Sequence, residues 1–113
     1  MKIILKHQAI EKKNNDVCIV TEHPLDDEVI NFATAKMTGR YPSAGYVRNH
    51  KCKEIAYVNE GNGKIIVNDK EHLLNAGDLV MIEAGEKFCW EGNMHISLSC
   101  TPAWTQDQFE FVD

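Results

Sequence analysis

The most constraining feature of this chain is its punctuation. Short runs rich in β-branched and aromatic residues recur along its length, separated by glycine, proline, asparagine and aspartate, and no stretch sustains a 3.6-residue apolar period. Extended runs are expected at "KIILK", "VCIVT", "VINFATAKMT", "GYVRNH", "EIAYVNE", "KIIVN", "EHLLNA", "GDLVMI", "KFCWE" and "MHISLSC". "KKNND", "EHPLDDE", "GRYPSAG", "KCK", "GNG", "DK", "EAGE" and "GN" read as the turns and loops between them. About nine short strands at near-regular spacing specify an all-β sandwich or a closed barrel. Pro102 cannot donate to a ladder, so the last strand should end there and leave "TPAWTQDQFEFVD" as a tail.

With 113 residues there is room for one hydrophobic core, hence one domain. Apolar residues at 43% and charged residues at 26% fit a globular chain and not a disordered one. A formal charge of −5 leaves no basic face to neutralise phosphates, which excludes nucleic acid as a partner. "MKIILKHQAI" has neither the apolar core of a signal peptide nor the length of a membrane span. The expectation is a cytoplasmic protein with no membrane partner. Cys18, Cys52, Cys89 and Cys100 lie far apart without C-x-x-C spacing, so four reduced thiols acting as small apolar fillers are expected.

Two hairpins carry a more specific signal. Glu54 is followed by six residues, "IAYVNE", and then Gly61; Gly77 is followed by "DLVMI", then "EAG", "EK" and Phe88. This order and spacing resembles the two motifs of the cupin family, the first being His-x-His, three or four residues, Glu, six residues, Gly. The second is Gly, five residues, Pro-x-Gly, two residues, His. The resemblance covers residues 39–102, with motif one at 45–61 and motif two at 77–92. It implies a cupin-type jelly-roll β-barrel in a single domain, preceded by N-terminal strands over 1–38 that complete the barrel or a dimer, and followed by the tail 103–113. It also implies a homodimer.

The departures from the motifs matter as much as the matches. Counting back three residues from Glu54 puts His50 at the second histidine and Arg48 at the first, while Phe88 replaces the histidine of motif two and Glu83 its proline. Arginine has no lone pair to offer a metal, and phenylalanine has none. The resemblance therefore implies a cavity without a metal, bordered by Arg48, His50, Glu54, Phe88 and Trp90, that takes a small polar or sugar-like molecule as sensor or carrier. An Arg48 that points inward should pair with Glu54 or with an anionic ligand, because an unpaired buried charge is costly.

The alternative is a metal-dependent cupin enzyme, a dioxygenase or isomerase. It would bind a divalent transition metal through His50 and Glu54, with Cys52 or His95 completing the set. In "MHISLSC" the apolar set alternates with His95, so His95 should face outward. Tyr41 and Tyr57 are weighed as acid/base partners, although no short-range His–Asp pair supports that role. Asp78 should form a turn, and Trp104 should anchor the tail.

Overall fold

The computed structural model describes residues 1–113 and is built almost wholly from strands: β1 (Ile10–Asn15), β2 (Cys18–His23), β3 (Phe32–Tyr41), β4 (Tyr46–Asn49), β5 (Lys53–Val67), β6 (Lys70–Asn75), β7 (Leu79–Ile82), β8 (Lys87–Thr101) and β9 (Phe109–Val112). Two single 3₁₀ turns, Lys6–Gln8 and Gln106–Gln108, are its only helical pieces. No helix is long and apolar enough to cross a membrane.

All nine strands join one sheet that curls on itself, and every pairing is antiparallel. Strand β8 is the axis. One of its edges pairs with β3 and then with β4, while the other pairs with β5 along nearly its whole length. Beyond β3 lie β2 and β1; beyond β5 lie β6 and β7; β9 closes onto β4.

Alternation builds the core. Cys18 and Val20 of β2, Ala33, Ala35 and Met37 of β3, Val47 of β4, Ala56 and Val58 of β5, and Phe88, Trp90, Met94 and Ile96 of β8 all turn inward. Ala33, Ala35 and Ala56 are small and meet Leu98, Ile96 and Leu98 across the ladder, so the middle of the barrel is not filled. On the opposite face of β5 and β7, Ile55, Tyr57, Leu79 and Met81 stay exposed, Ile55 directly opposite Met81 and Tyr57 opposite Leu79.

Three segments depart from the sequence reading. "GNG" and "GN" are not turns: β5 and β8 each run unbroken for fifteen residues, and the glycines mark bends within them. A bulge at Asn59 makes the inward residues of β5 switch from even (Glu54, Ala56, Val58) to odd (Ile65), and Gly61 takes φ +83° just beyond it. Gly92 faces Gly63 so closely that a Cβ at Gly92 would lie 2.5 Å from the Gly63 Cα, which only glycine allows.

"KIILK" is not a strand. Lys2 instead donates to the carbonyls of Leu25 and Asp26, and the polar run "IEKKNN" supplies β1 by pairing with β2. The tail is not loose either. Its residues Phe109–Val112 pair with all four residues of β4.

Candidate functional site

A cavity of about 310 Å³ lies between the two curled halves of the sheet. Its walls are mostly apolar, with Met37, Val47, Phe88, Trp90, Ile96 and Leu98 deep in the barrel and Phe109 and Phe111 contributed by the tail. Phe88 and Trp90 meet edge to face at 6.4 Å, and both are buried. The mouth is polar, carrying Lys12, Lys13 and Asn14 from β1, Glu22 from β2, Asn31, and Gln106. Trp104 stands at this mouth with the Lys12 ammonium 5.8 Å from its ring centroid, and it also packs on Phe109 at 5.4 Å. It therefore anchors the tail and walls the cavity at once.

One carboxyl sits inside. Glu54 is 9% exposed, lines the cavity and accepts a hydrogen bond from the Cys100 thiol at 3.4 Å. Burial disfavours its charged form and pushes its pKa up from 4.5 to about 7, partly offset by hydrogen bonds from Cys100 and Asn49. Such a carboxyl can take up or release a proton near neutral pH, which is the requirement for a general acid or base. Tyr41, also on the wall, is held up to about 12 by its own burial and by negative charge at Cys18 and Glu54. Burial likewise raises Cys18 to about 11. The Cys100 thiol is raised, first by its hydrogen bond to Cys52, and that same bond lowers Cys52.

Glu54, Phe88 and Trp90 thus lie together on the cavity wall, whereas Arg48 and His50 do not. In β4 it is Val47 and Asn49 that are buried. Arg48 is on the opposite face, 3.6 Å from Glu110, and His50 lies in the turn after β4, half exposed and 3.3 Å from the same Glu110.

The tail explains the His50 position. Gln108 is buried and holds the turn from beneath: its carbonyl accepts from the His50 N–H, and its side-chain oxygen accepts from the N–H groups of Lys51 and Cys52. Its amide donates to Asn49 Oδ1 at 2.9 Å. Arg48 does not point inward, so the condition for pairing it with Glu54 is not met. Cys52 is buried behind the wall, its thiol directed to Gln108 Oε1 at 3.4 Å. His95 faces outward from β8, its Nδ1 3.0 Å from Asn59 Nδ2. Asp78 accepts from the Asn75 N–H and shapes the turn before β7.

The cupin domain profile matches residues 40–96, half of the chain. The chain belongs to the cupin family. Among solved structures, Streptomyces Pac13, a nucleoside dehydratase solved with uridine in variant form, has a TM-score of 0.90 at 16% identity, covering 100% of this chain and 92% of that one. KdgF from Halomonas sp. gives 0.74 at 12%, covering 95% and 97%. Ectoine synthase from P. lautus gives 0.73 at 15%, covering 100% and 91%. At these identities the likeness is one of fold. No curated protein matches in sequence.

Within this cupin the four-residue form of the motif-one spacing is the one that applies. It places Val47 and Asn49 where the family pattern has its two histidines, seven and five positions before Glu54. Asn49, buried beside Glu54, is the site residue that counting from His50 misses, and the longer spacing was the signal for it. Cys100 was also missed as a partner of Glu54; it is found from the β5–β8 register, which sets the two residues opposite each other.

These positions do not fit a resident transition metal. Valine and phenylalanine have no lone pair to donate, and the Asn49 oxygen is engaged by Gln108. No group of three or more histidine, cysteine, aspartate or glutamate side chains is placed to hold an ion. His50, Cys52 and His95 point to three different partners instead of converging with Glu54.

Proposed function

We propose that this cupin binds a small ring-shaped organic molecule, of the size of a nucleoside base or a monosaccharide, inside its barrel, with Glu54 as the polar anchor. The observation that carries this reading is the single buried carboxyl on the wall of a mostly apolar cavity that is also lined by aromatic side chains. Binding cavities combine this apolar lining with a few polar groups that fix orientation, and their usual volumes begin at about 300 Å³. The wall of Phe88 and Trp90 suits the face of a ring. The fold shared with Pac13, a nucleoside dehydratase solved with uridine, lends support to a ring of that size.

Calorimetric titration of nucleosides, monosaccharides and small aromatic amines and acids into the protein tests the reading. Saturable 1:1 binding that is weakened by Trp90→Ala is expected. A panel without any binder, or binding indifferent to Trp90, refutes it.

A second reading, that the site also moves a proton on its ligand, rests on the Glu54 carboxyl titrating near neutrality. Exchange of a ligand C–H for deuterium in D₂O, abolished by Glu54→Gln, would establish it. Absence of exchange with every binder would leave binding alone.

A further inference from the structure

The electrostatics around Glu54 are incomplete. It is buried to nine-tenths in a mostly apolar cavity, yet it takes part in none of the molecule's ion pairs. Arg48 lies on the outer face against Glu110. The two lysines of the cavity are at its mouth, Lys12 over the Trp104 ring and Lys13 paired with Asp16 at 3.2 Å. The groups that do face Glu54 are neutral hydrogen-bonding ones, Asn49 of β4, Cys100 of β8 and, at longer range, the Tyr41 hydroxyl of β3; the Cys52 thiol is directed to Gln108 but lies within range of the Glu54 charge. No histidine lines the cavity.

Tyr41, Phe88 and Trp90 line the same cavity as this carboxyl, and aromatic rings attract positive charge. A carboxyl and three aromatic rings on the wall of one cavity are a combination that recognises an organic cation. The chain's net charge of −5 adds a weak field that draws cations toward it.

We propose that the ligand of this cavity carries a protonated nitrogen, seated against the Glu54 carboxylate within the wall of Tyr41, Phe88 and Trp90. The proposal rests on the reading of the cavity as the ligand site. It has a thermodynamic signature. The empty site holds Glu54 with a pKa of about 7, so near neutrality it is partly protonated; a seated cation favours the carboxylate and expels that proton. Amine binding should therefore release protons and strengthen as pH rises through 7. Cys18 and Tyr41 titrate far above this window, and Cys100 is raised. Burial raises Cys89 too, so Cys52, lowered by its bond from Cys100, is the remaining thiol, and a Cys52→Ser variant removes its contribution.

The test is calorimetry on the full chain with benzylamine and benzyl alcohol, which share a ring and differ in charge. It is run at pH 6 and 8 in two buffers of unequal ionisation heat. Benzylamine should bind at least about tenfold more tightly than the alcohol at pH 8, with buffer-dependent heat from proton release. That advantage should shrink at pH 6, persist in Cys52→Ser and vanish in Glu54→Gln, where amine and alcohol should bind with equal affinity. Equal affinities for the two compounds in the parent, or an amine preference that survives Glu54→Gln, overturn the proposal and leave the cavity reading intact. If neither compound binds and the wider panel also fails, both fall together.

Discussion

Replacing Glu54 by glutamine should change how stability depends on pH, and the size of the effect follows from the burial of this one carboxyl. Its pKa moves from 4.5 to about 7 in the folded protein. At ~1.4 kcal/mol for each tenfold change in proton affinity, that is worth about 3 kcal/mol. Because the folded pKa is the higher one, the folded state binds more protons than the unfolded state between pH 4.5 and 7. Stability from this group is therefore greatest below pH 4.5 and is lost as pH rises through 7.

Asp27 and Asp107 run the other way. Both are lowered, by hydrogen bonds from backbone N–H groups at Asp27 and first by that with Thr105 at Asp107, so whatever stability they give is present at neutral pH and lost as pH falls into the acid range, in parent and variant alike. Urea unfolding of both proteins at pH 4.5 to 8 isolates the Glu54 part as a difference. Glu54→Gln should gain on the parent by about 3 kcal/mol across that range, whatever fixed cost the lost carboxyl carries. Parallel profiles would refute the claim that burial controls this carboxyl.

Other consequences can be checked separately. Gly61→Ala forces a Cβ to within 2.0 Å of the Asn93 carbonyl oxygen at φ +83°, so a loss of at least about 2 kcal/mol in urea unfolding is expected. Gln108→Ala removes the acceptor for the Lys51 and Cys52 N–H groups and the donor to Asn49, and should cost roughly 1–3 kcal/mol while loosening amide exchange in the turn at residues 50–52. All four thiols are buried, so a thiol reagent should label them slowly in buffer and completely in denaturant; fast native labelling at any of them would contradict its placement.

The sequence shows the barrel more readily than the site. Alternation exposes the inward set of β2 through Cys18 and Val20, and the spacing from Glu54 to Gly61 and from Gly77 to Phe88 marks the cupin hairpins. What it hides are features decided by tertiary pairing. "KIILK" has the better strand composition, yet "IEKKNN" is the strand, because β2 offers it a partner edge. Phe109–Val112 becomes a strand for the same reason, against β4. Gly61 and Gly92 look like turn residues but serve to bend two long strands where backbones crowd.

His50 is the case with functional weight. A one-residue change in the spacing before Glu54 reverses which side chains of β4 face the core, moving Arg48 and His50 out and Val47 and Asn49 in. Nothing local in "RNHKCKE" decides between the two spacings. The Gln108 contacts from the far end of the chain do.

The most direct test of the central claim is to map where a ligand sits. In ¹H–¹⁵N spectra of the labelled protein titrated with the tightest binder of the panel, the largest shifts should fall on Glu54, Phe88, Trp90 and Cys100 and on the Trp90 indole N–H. Shifts concentrated instead around Arg48, His50 and Glu110, on the outer face of β4 and β9, would contradict the assignment of the cavity as the site.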